Sequence, residues 1–152
     1  MKIRTEISED GQEEIIIRCP QRTEKIKSIE TALERLILSH QEMLLYLSGA
    51  EYYVPTDDIL FFESCNGKVY AHTRERMFTT DRKLFELEAV LPPHFARISK
   101  STIANVMKIS SLRRDVVGTG EITFKGCEKK TYFSRGYYKI LRDKIDEMRL
   151  GK

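Results

Sequence analysis

The stretch Phe95-Ala96-Arg97-Ile98-Ser99-Lys100-Ser101-Thr102-Ile103-Ala104-Asn105-Val106-Met107-Lys108-Ile109 decides how this chain is read. A polar, basic run (Arg97, Ser99, Lys100, Ser101) is set among the apolar anchors Ile98, Ile103, Val106 and Ile109. The alternation Arg97-Ile98-Ser99 predicts a short strand with Ile98 inward and Arg97 and Ser99 outward. Lys100 and Ser101 fall where the alternation breaks. A cationic head and two hydroxyls on a loop pinned at both ends suit a phosphate or a base edge. A solvated strand end is the competing reading, and the rest of the chain weighs between them.

Outward from this stretch the pattern is mostly β. Met43–Leu47, Tyr52–Val54, Ile59–Ser64, Lys68–Thr73 and Met77–Thr80 read as short strands. They are separated by turn signals, the strongest being Asn66-Gly67, and this spacing indicates an antiparallel meander. Lys83–Leu91 places Leu84, Leu87 and Leu91 on one helical face, and Pro92-Pro93 ends it. After the central stretch come a strand near Ile109–Leu112, a basic turn at Arg113-Arg114, and a Gly-rich turn at Gly118-Thr119-Gly120. A hairpin then pairs Glu121–Phe124 with Lys130–Phe133. Ser134 is the expected cap of a last helix with Tyr138, Leu141, Ile145 and Met148 as its stripe.

On the N-terminal side, residues 2–19 read as a hairpin turning at Glu9-Asp10-Gly11 and stopped by Pro20. Thr23 caps a helix whose stripe is Ile26, Ile29, Leu33, Leu36 and Ile37. The stripe either packs on the hairpin or forms part of a dimer face.

The chain has 152 residues, enough for one domain with a core and a small appendage. Its net charge of +3 is unevenly spread. Residues 1–56 carry 7 Lys+Arg against 10 Asp+Glu, a net of −3, whereas residues 57–152 carry 19 against 13, a net of +6. A basic segment behind an acidic one points to a polyanionic partner for the second part. No apolar run approaches membrane-spanning length, and Met1-Lys2-Ile3-Arg4 lacks the apolar core of a signal peptide. The cytoplasm is the expected location, without membrane insertion. Cys19, Cys65 and Cys127 are odd in number and widely spaced, so buried or half-buried free thiols are expected. His40, His72 and His94 show no ligand pattern, and no metal or other cofactor is expected; His72 reads as a strand residue.

Catalytic motifs are missing: there is no nucleophile elbow, zinc-protease helix, P-loop or useful Cys/His pair. Asp57-Asp58 reads as a turn rather than a catalytic dyad, and no enzyme is expected. The aromatic pairs Tyr52-Tyr53, Phe61-Phe62 and Tyr137-Tyr138 raise single-stranded RNA binding as an alternative. Neighbouring strand residues point to opposite faces, however, so each pair offers at most one ring outward. A protein-interaction module using the 24–38 stripe is the other alternative.

The order of these motifs resembles a known family. Asp57-Asp58-Ile59-Leu60-Phe61-Phe62-Glu63-Ser64 leads into the Asn66-Gly67 hairpin, and the Leu84/Leu87/Leu91-Pro92 helix leads into Phe95–Asn105. The Gly-bearing hairpin leads into Phe133-Ser134-Arg135-Gly136-Tyr137-Tyr138-Lys139-Ile140-Leu141. This is similar to the LytTR DNA-binding domain of bacterial transcription regulators, over about Asp57 to Glu147. The resemblance implies a mainly β fold with helices, an elongated stack of small antiparallel sheets. With the N-terminal hairpin and helix as an appendage, it divides the chain at 1–50 and 51–150. It also implies sequence-specific binding to repeated sites in double-stranded DNA, with loops in the major groove, by a homodimer.

Three loops carry over. In the first, Asn66 or Lys68 takes the base-reading position. In the second, Ser99 stands where members often have His, and Lys100 where they have Arg or Asn, followed by Ser101. The third is Ser134-Arg135, with Lys139 behind it and Gly136 where many members have another Arg. Arg135 at a helix mouth could bond guanine O6 and N7 together, whereas Lys100, a point charge, suits phosphate. Arg97 is either a phosphate contact or a scaffold ion pair, and Asn105 is a structural residue. The receiver domain of larger members has no counterpart in the first 50 residues, so phosphorylation of an Asp is not the expected control. That leaves room for a separate regulatory protein.

Overall fold

The computed structural model describes the chain apart from residues 8, 10, 12, 39, 40, 151 and 152, and His40 and the expected turn residue Asp10 lie outside what is described. Among the described residues, ten strands and three α-helices follow in order. They are α1 (Glu24–Leu38), β1 (Glu42–Leu47), β2 (Ala50–Pro55), β3 (Phe61–Cys65), β4 (Lys68–His72), β5 (Met77–Thr80), α2 (Leu84–Val90), β6 (Phe95–Ser99), β7 (Thr102–Asn105), β8 (Ile109–Arg114), β9 (Gly120–Phe124), β10 (Lys130–Phe133) and α3 (Tyr138–Arg149).

Seven strands form one antiparallel sheet in the order β2-β1-β5-β4-β3-β7-β6, and three form a second in the order β10-β9-β8. Within the large sheet, the β1–β2 hairpin joins β5 through one register pair, Tyr46 with Thr79. The fold is thus the stack of small antiparallel sheets expected from the sequence, with helices against it. β1 lies before residue 50 yet pairs with β2 along its whole length, so the sheet begins at Glu42.

The most β-prone run explains how the layers are held. Successive side chains of β3 face opposite ways. Phe61 points to the second sheet, stacked on Phe124 with centroids 5.3 Å apart, in a core with Ile98, Val106, Ile122, Phe133, Leu141 and Ile145. Phe62 points the other way, onto Phe95 and the α2 residues Leu84 and Leu87. Both rings are buried, so neither is offered to a base. Full burial of such side chains contributes about 1.5–3 kcal/mol each. The last helix is fixed by buried Leu141, Ile145 and Met148, and at its C-terminal end Arg149 Nη1 donates to the Ile109 carbonyl over 2.6 Å.

The N-terminal hairpin expected over residues 2–19 does not form: among the described residues of this segment there is no strand, and nearly all are exposed. A lone two-stranded ribbon has no face to bury and is marginal in water. The helix does form, and Thr23 Oγ1 accepts from the Ile26 amide at 3.3 Å as its cap. Of its stripe only Ile26 is buried, and Ile37 remains 62% exposed. The stripe therefore has no hairpin to pack on; Ile26 is buried, Ile29 and Leu33 are half-buried, and Leu36 and Ile37 are exposed. The thiols also differ from expectation. Cys127 is half-buried, but Cys65, at a hairpin turn, and Cys19, in the segment without strand pairing, are exposed.

Candidate nucleic-acid interface

Antiparallel pairing carries the three loops to one edge of the molecule. The register Cys65 with Lys68 closes the β3–β4 hairpin around Asn66 (φ 51°) and Gly67 (φ 77°). Positive φ at both positions is a type I′ turn, which Asn-Gly adopts more readily than other pairs. β7 runs beside β3 with Glu63 opposite Thr102, so the β6–β7 turn at Lys100-Ser101 lies next to the Asn66-Gly67 turn. The Ser64 amide ties the two together, donating to the Ser101 carbonyl at 2.8 Å.

The third loop joins through a β-bulge. Arg97 pairs with Ile103 and Ser99 with Thr102, so Ile98 is the extra residue. Its carbonyl, released from the ladder, accepts the Ser134 amide at 2.9 Å. The third loop is thereby anchored one residue from the second. A fourth turn arrives at the same edge. β9 begins at Gly120 opposite Phe133, and the turn before it, residues 115–119, lies against Arg135: a Cβ on Gly118 would sit 2.7 Å from Arg135 Cγ.

The side chains differ in what they are free to do. Asn66, Lys68, Lys100, Ser101, Arg135 and Lys139 are exposed. Ser99, expected outward, is buried at 9% exposure because the bulge turns it into the loop. Its Oγ accepts the Ser101 amide at 3.2 Å. Arg97 is a clamp. Its Nε donates to the Ser99 carbonyl at 2.8 Å, its Nη2 to the Lys100 carbonyl, and its Nη1 to Glu88 at 3.0 Å. Of the two roles open to it, the scaffold ion pair is formed, and the guanidinium shapes the turn that presents Lys100. Asn105 is structural as expected: buried, it donates from Nδ2 to the Ile59 carbonyl and accepts the Met107 amide, both at 3.1 Å.

Ser134 does not cap through its side chain, and α3 starts only at Tyr138, after a 3-10 turn over Arg135–Tyr137. Gly136, a poor helix former, sits in that turn. Arg135 therefore stands one turn ahead of the helix rather than in its first turn.

Two exposed cations at this edge, Arg113 and Arg114, form the end of β8 rather than the basic turn expected from the sequence. The Arg114 guanidinium lies 4.2 Å from the centroid of the Tyr138 ring, a cation–π contact that joins β8 to α3. The residues are 24 positions apart, so only the basic character of the Arg113-Arg114 pair could have signalled them. The carboxylate in this turn, Asp115, is occupied locally; hydrogen bonds from the Thr119 hydroxyl and nearby amides hold it below the usual carboxylate range.

Away from this edge, a cleft of ≈ 560 Å³ opens at the opposite end, lined by acids and bases together (Asp57, Asp58, Arg74, Arg76, Lys108). The described residues hold no cluster of His, Cys, Asp and Glu that could bind a metal ion, and no helix long and apolar enough to cross a membrane.

The fold agrees with the comparisons. The LytTr DNA-binding domain family matches residues 49–146. Two uncharacterized HTH-type transcriptional regulators of Staphylococcus aureus, strains bovine RF122 / ET3-1 and NCTC 8325 / PS 47, are each 32% identical over 146 residues, which is 95% of this chain and 98% of theirs. Among solved structures, the LytTr DNA-binding domain of a Bacillus cereus protein described as a methyl-accepting/DNA response regulator superposes with a TM-score of 0.64. It is 24% identical, with 69% of this chain and 96% of that one covered, and shares the fold. The domain match and the full-length relatives together show that the chain belongs to the LytTR DNA-binding domain family.

Proposed function

We propose that this chain is a bacterial transcriptional regulator that reads repeated sites in duplex DNA by setting the loops of one edge into the major groove. The observation that carries this is the pair of backbone hydrogen bonds, Ser64 to Ser101 and Ser134 to Ile98, which fix three loops bearing exposed cations into one edge. A rigid edge of Lys68, Lys100, Arg135 and Lys139 meets a polyanion without reorganising. Arg135 reads a guanine with its fork, Asn66 contributes a base contact, and Lys68, Lys100, Ser101 and Lys139 hold phosphates. Arg97 and Ser99 act through the loop they shape. The relatives named transcriptional regulators match this chain over nearly its full length, which supports the same role here.

Residues 1–38 form the appendage of this regulator and pair two copies on adjacent half-sites in the cytoplasm. Ile15 and Ile16, 63% and 60% exposed, and Ile37 supply the apolar surface for that contact. A separate regulatory protein docking on the same segment supplies the control signal.

Selection of bound duplexes from a random pool by the full-length chain tests the reading. Enrichment of a repeated motif with half-sites about one helical turn or a multiple apart is expected. Recovery of random sequence would overturn sequence-specific binding. In sedimentation, Ile15→Asp with Ile16→Asp should leave a monomer that still binds a single half-site.

A further inference from the structure

The turn between β8 and β9 is built more firmly than a connecting loop requires. Asp115 Oδ1 accepts the Val117 amide at 3.0 Å and Oδ2 accepts the Thr119 hydroxyl at 2.6 Å. The Asp115 amide donates to the Thr119 carbonyl at 2.8 Å, and the Gly118 amide to the Asp115 carbonyl at 3.2 Å. Gly118, at φ 92°, holds a conformation that L side chains rarely adopt.

What this frame presents is apolar. Val116 is 104% exposed and Val117 61%. Two β-branched side chains are held out in water between the exposed cations Arg113 and Arg114 on one side and Arg135, seated on Gly118, on the other. Cations on both flanks match a nucleic-acid groove better than an apolar protein surface. In the major groove the one apolar group on a base edge is the 5-methyl of thymine, and small aliphatic side chains contact it.

We propose that the Asp115–Thr119 turn is a fourth DNA-reading element, with Val116 and Val117 packing on thymine 5-methyl groups beside the base read by Arg135. This rests on the DNA-binding reading above and adds to it a preference that no charged or amide side chain of the edge could supply. Arg135 and the valines move as one unit, because the Arg135 stem lies on Gly118.

Uracil lacks only the 5-methyl of thymine, which makes the test direct. Each thymine of a duplex selected by the full-length chain is replaced in turn by uracil. At one or two positions next to the base whose identity depends on Arg135, uracil should weaken binding about fourfold, the scale of one buried methyl group. The full-length variant Val116→Ser with Val117→Ser should bind the thymine and uracil duplexes alike while keeping its affinity for random duplex. Asp115→Ala, which loosens the turn and leaves the valines in place, should also lose the discrimination. A selected site without thymine there, no response to uracil, or equal loss on selected and random duplexes would overturn the proposal and leave base reading by Arg135 intact. A chain that selects no motif at all would overturn both. Unchanged thermal melts confirm that the double valine variant folds, since Val116 is 104% and Val117 61% exposed.

Discussion

Ser134 donates its backbone N–H to the carbonyl of Ile98 over 2.9 Å, joining the mouth of α3 to the bulge in β6. Ile98 can accept because the bulge removes it from the ladder with β7. One extra residue in one strand thus sets the spacing between the loop that carries Lys100 and the loop that carries Arg135.

Arg135 and Lys100 should separate by chemistry. A bidentate Arg–guanine pair discriminates by about 1–3 kcal/mol, so Arg135→Ala should weaken a selected site by that amount and random duplex far less. Lys100→Ala should weaken both alike and lower the slope of log affinity against log salt by about 0.9. Titration of selected and scrambled duplexes at several salt concentrations measures both. An intact ratio of specific to random affinity in Arg135→Ala would reduce it to a backbone contact.

Arg97→Ala removes hydrogen bonds to two carbonyls and to Glu88. Hydrogen bonds from a charged donor contribute about 1.5–3 kcal/mol each, less where water reaches them, as at this half-exposed site. The expected result is a loss of about 1–2 kcal/mol in urea unfolding, together with weaker binding to the selected site. Arg97→Lys should not restore binding, because an ammonium lacks the planar fork that spans both carbonyls. Restoration by lysine would show that only the charge mattered.

Asn105→Ala, at the end of β7 away from the loops, should be among the most destabilising single changes. It strands the buried Ile59 carbonyl, at about 1–3 kcal/mol for a group left unsatisfied, and the half-buried Met107 amide, at less. Urea denaturation checks it, and a loss below about 0.5 kcal/mol would mean water takes over both bonds.

Stability should also fall in mild acid. His94 is 2% exposed, and among the described residues neither ring nitrogen has a hydrogen-bond partner. Burial pushes its pKa down; Asp57, 3.9 Å away, opposes this, while Arg35 and Lys108 add to it. His72 is likewise lowered by burial, opposed by its hydrogen bond to Glu63. In both cases the unfolded chain binds the proton more readily than the folded one. Their contribution is full above the unfolded value of about 6.5 and is lost progressively as pH drops below it. Thermal melts between pH 7.5 and 5 should show a falling Tm, and His94→Gln should flatten part of the fall. An equally steep fall in that variant would assign the effect to His72 or the carboxylates.

Much of this was legible in the sequence because it depends on local spacing. The period-two runs of β3 and β4, the Asn66-Gly67 turn, the Leu84/Leu87 face and the Leu141/Ile145/Met148 stripe each specify an element through neighbours a few residues apart. Lys100 is legible as a cation where the strand alternation breaks, whereas Arg135 is picked out through the resemblance of the loop before the last helix. The hairpin expected over residues 2–19 is not formed among the described residues because its β-branched run carries strand propensity with no surface to cover. Propensity alone does not hold two strands together.

By itself, then, the sequence determined the order of strands and helices from α1 onward, the basic second part and the positions of the loops. The tertiary structure alone decided that Ser99 turns inward, that Arg97 clamps rather than reaches out, that Arg135 rests on Gly118, and that Arg114 meets Tyr138. Each of these follows from a bulge or a close approach between strands and loops distant in the chain or out of register. Such contacts leave no periodic mark, because they are set by how far one backbone can approach another.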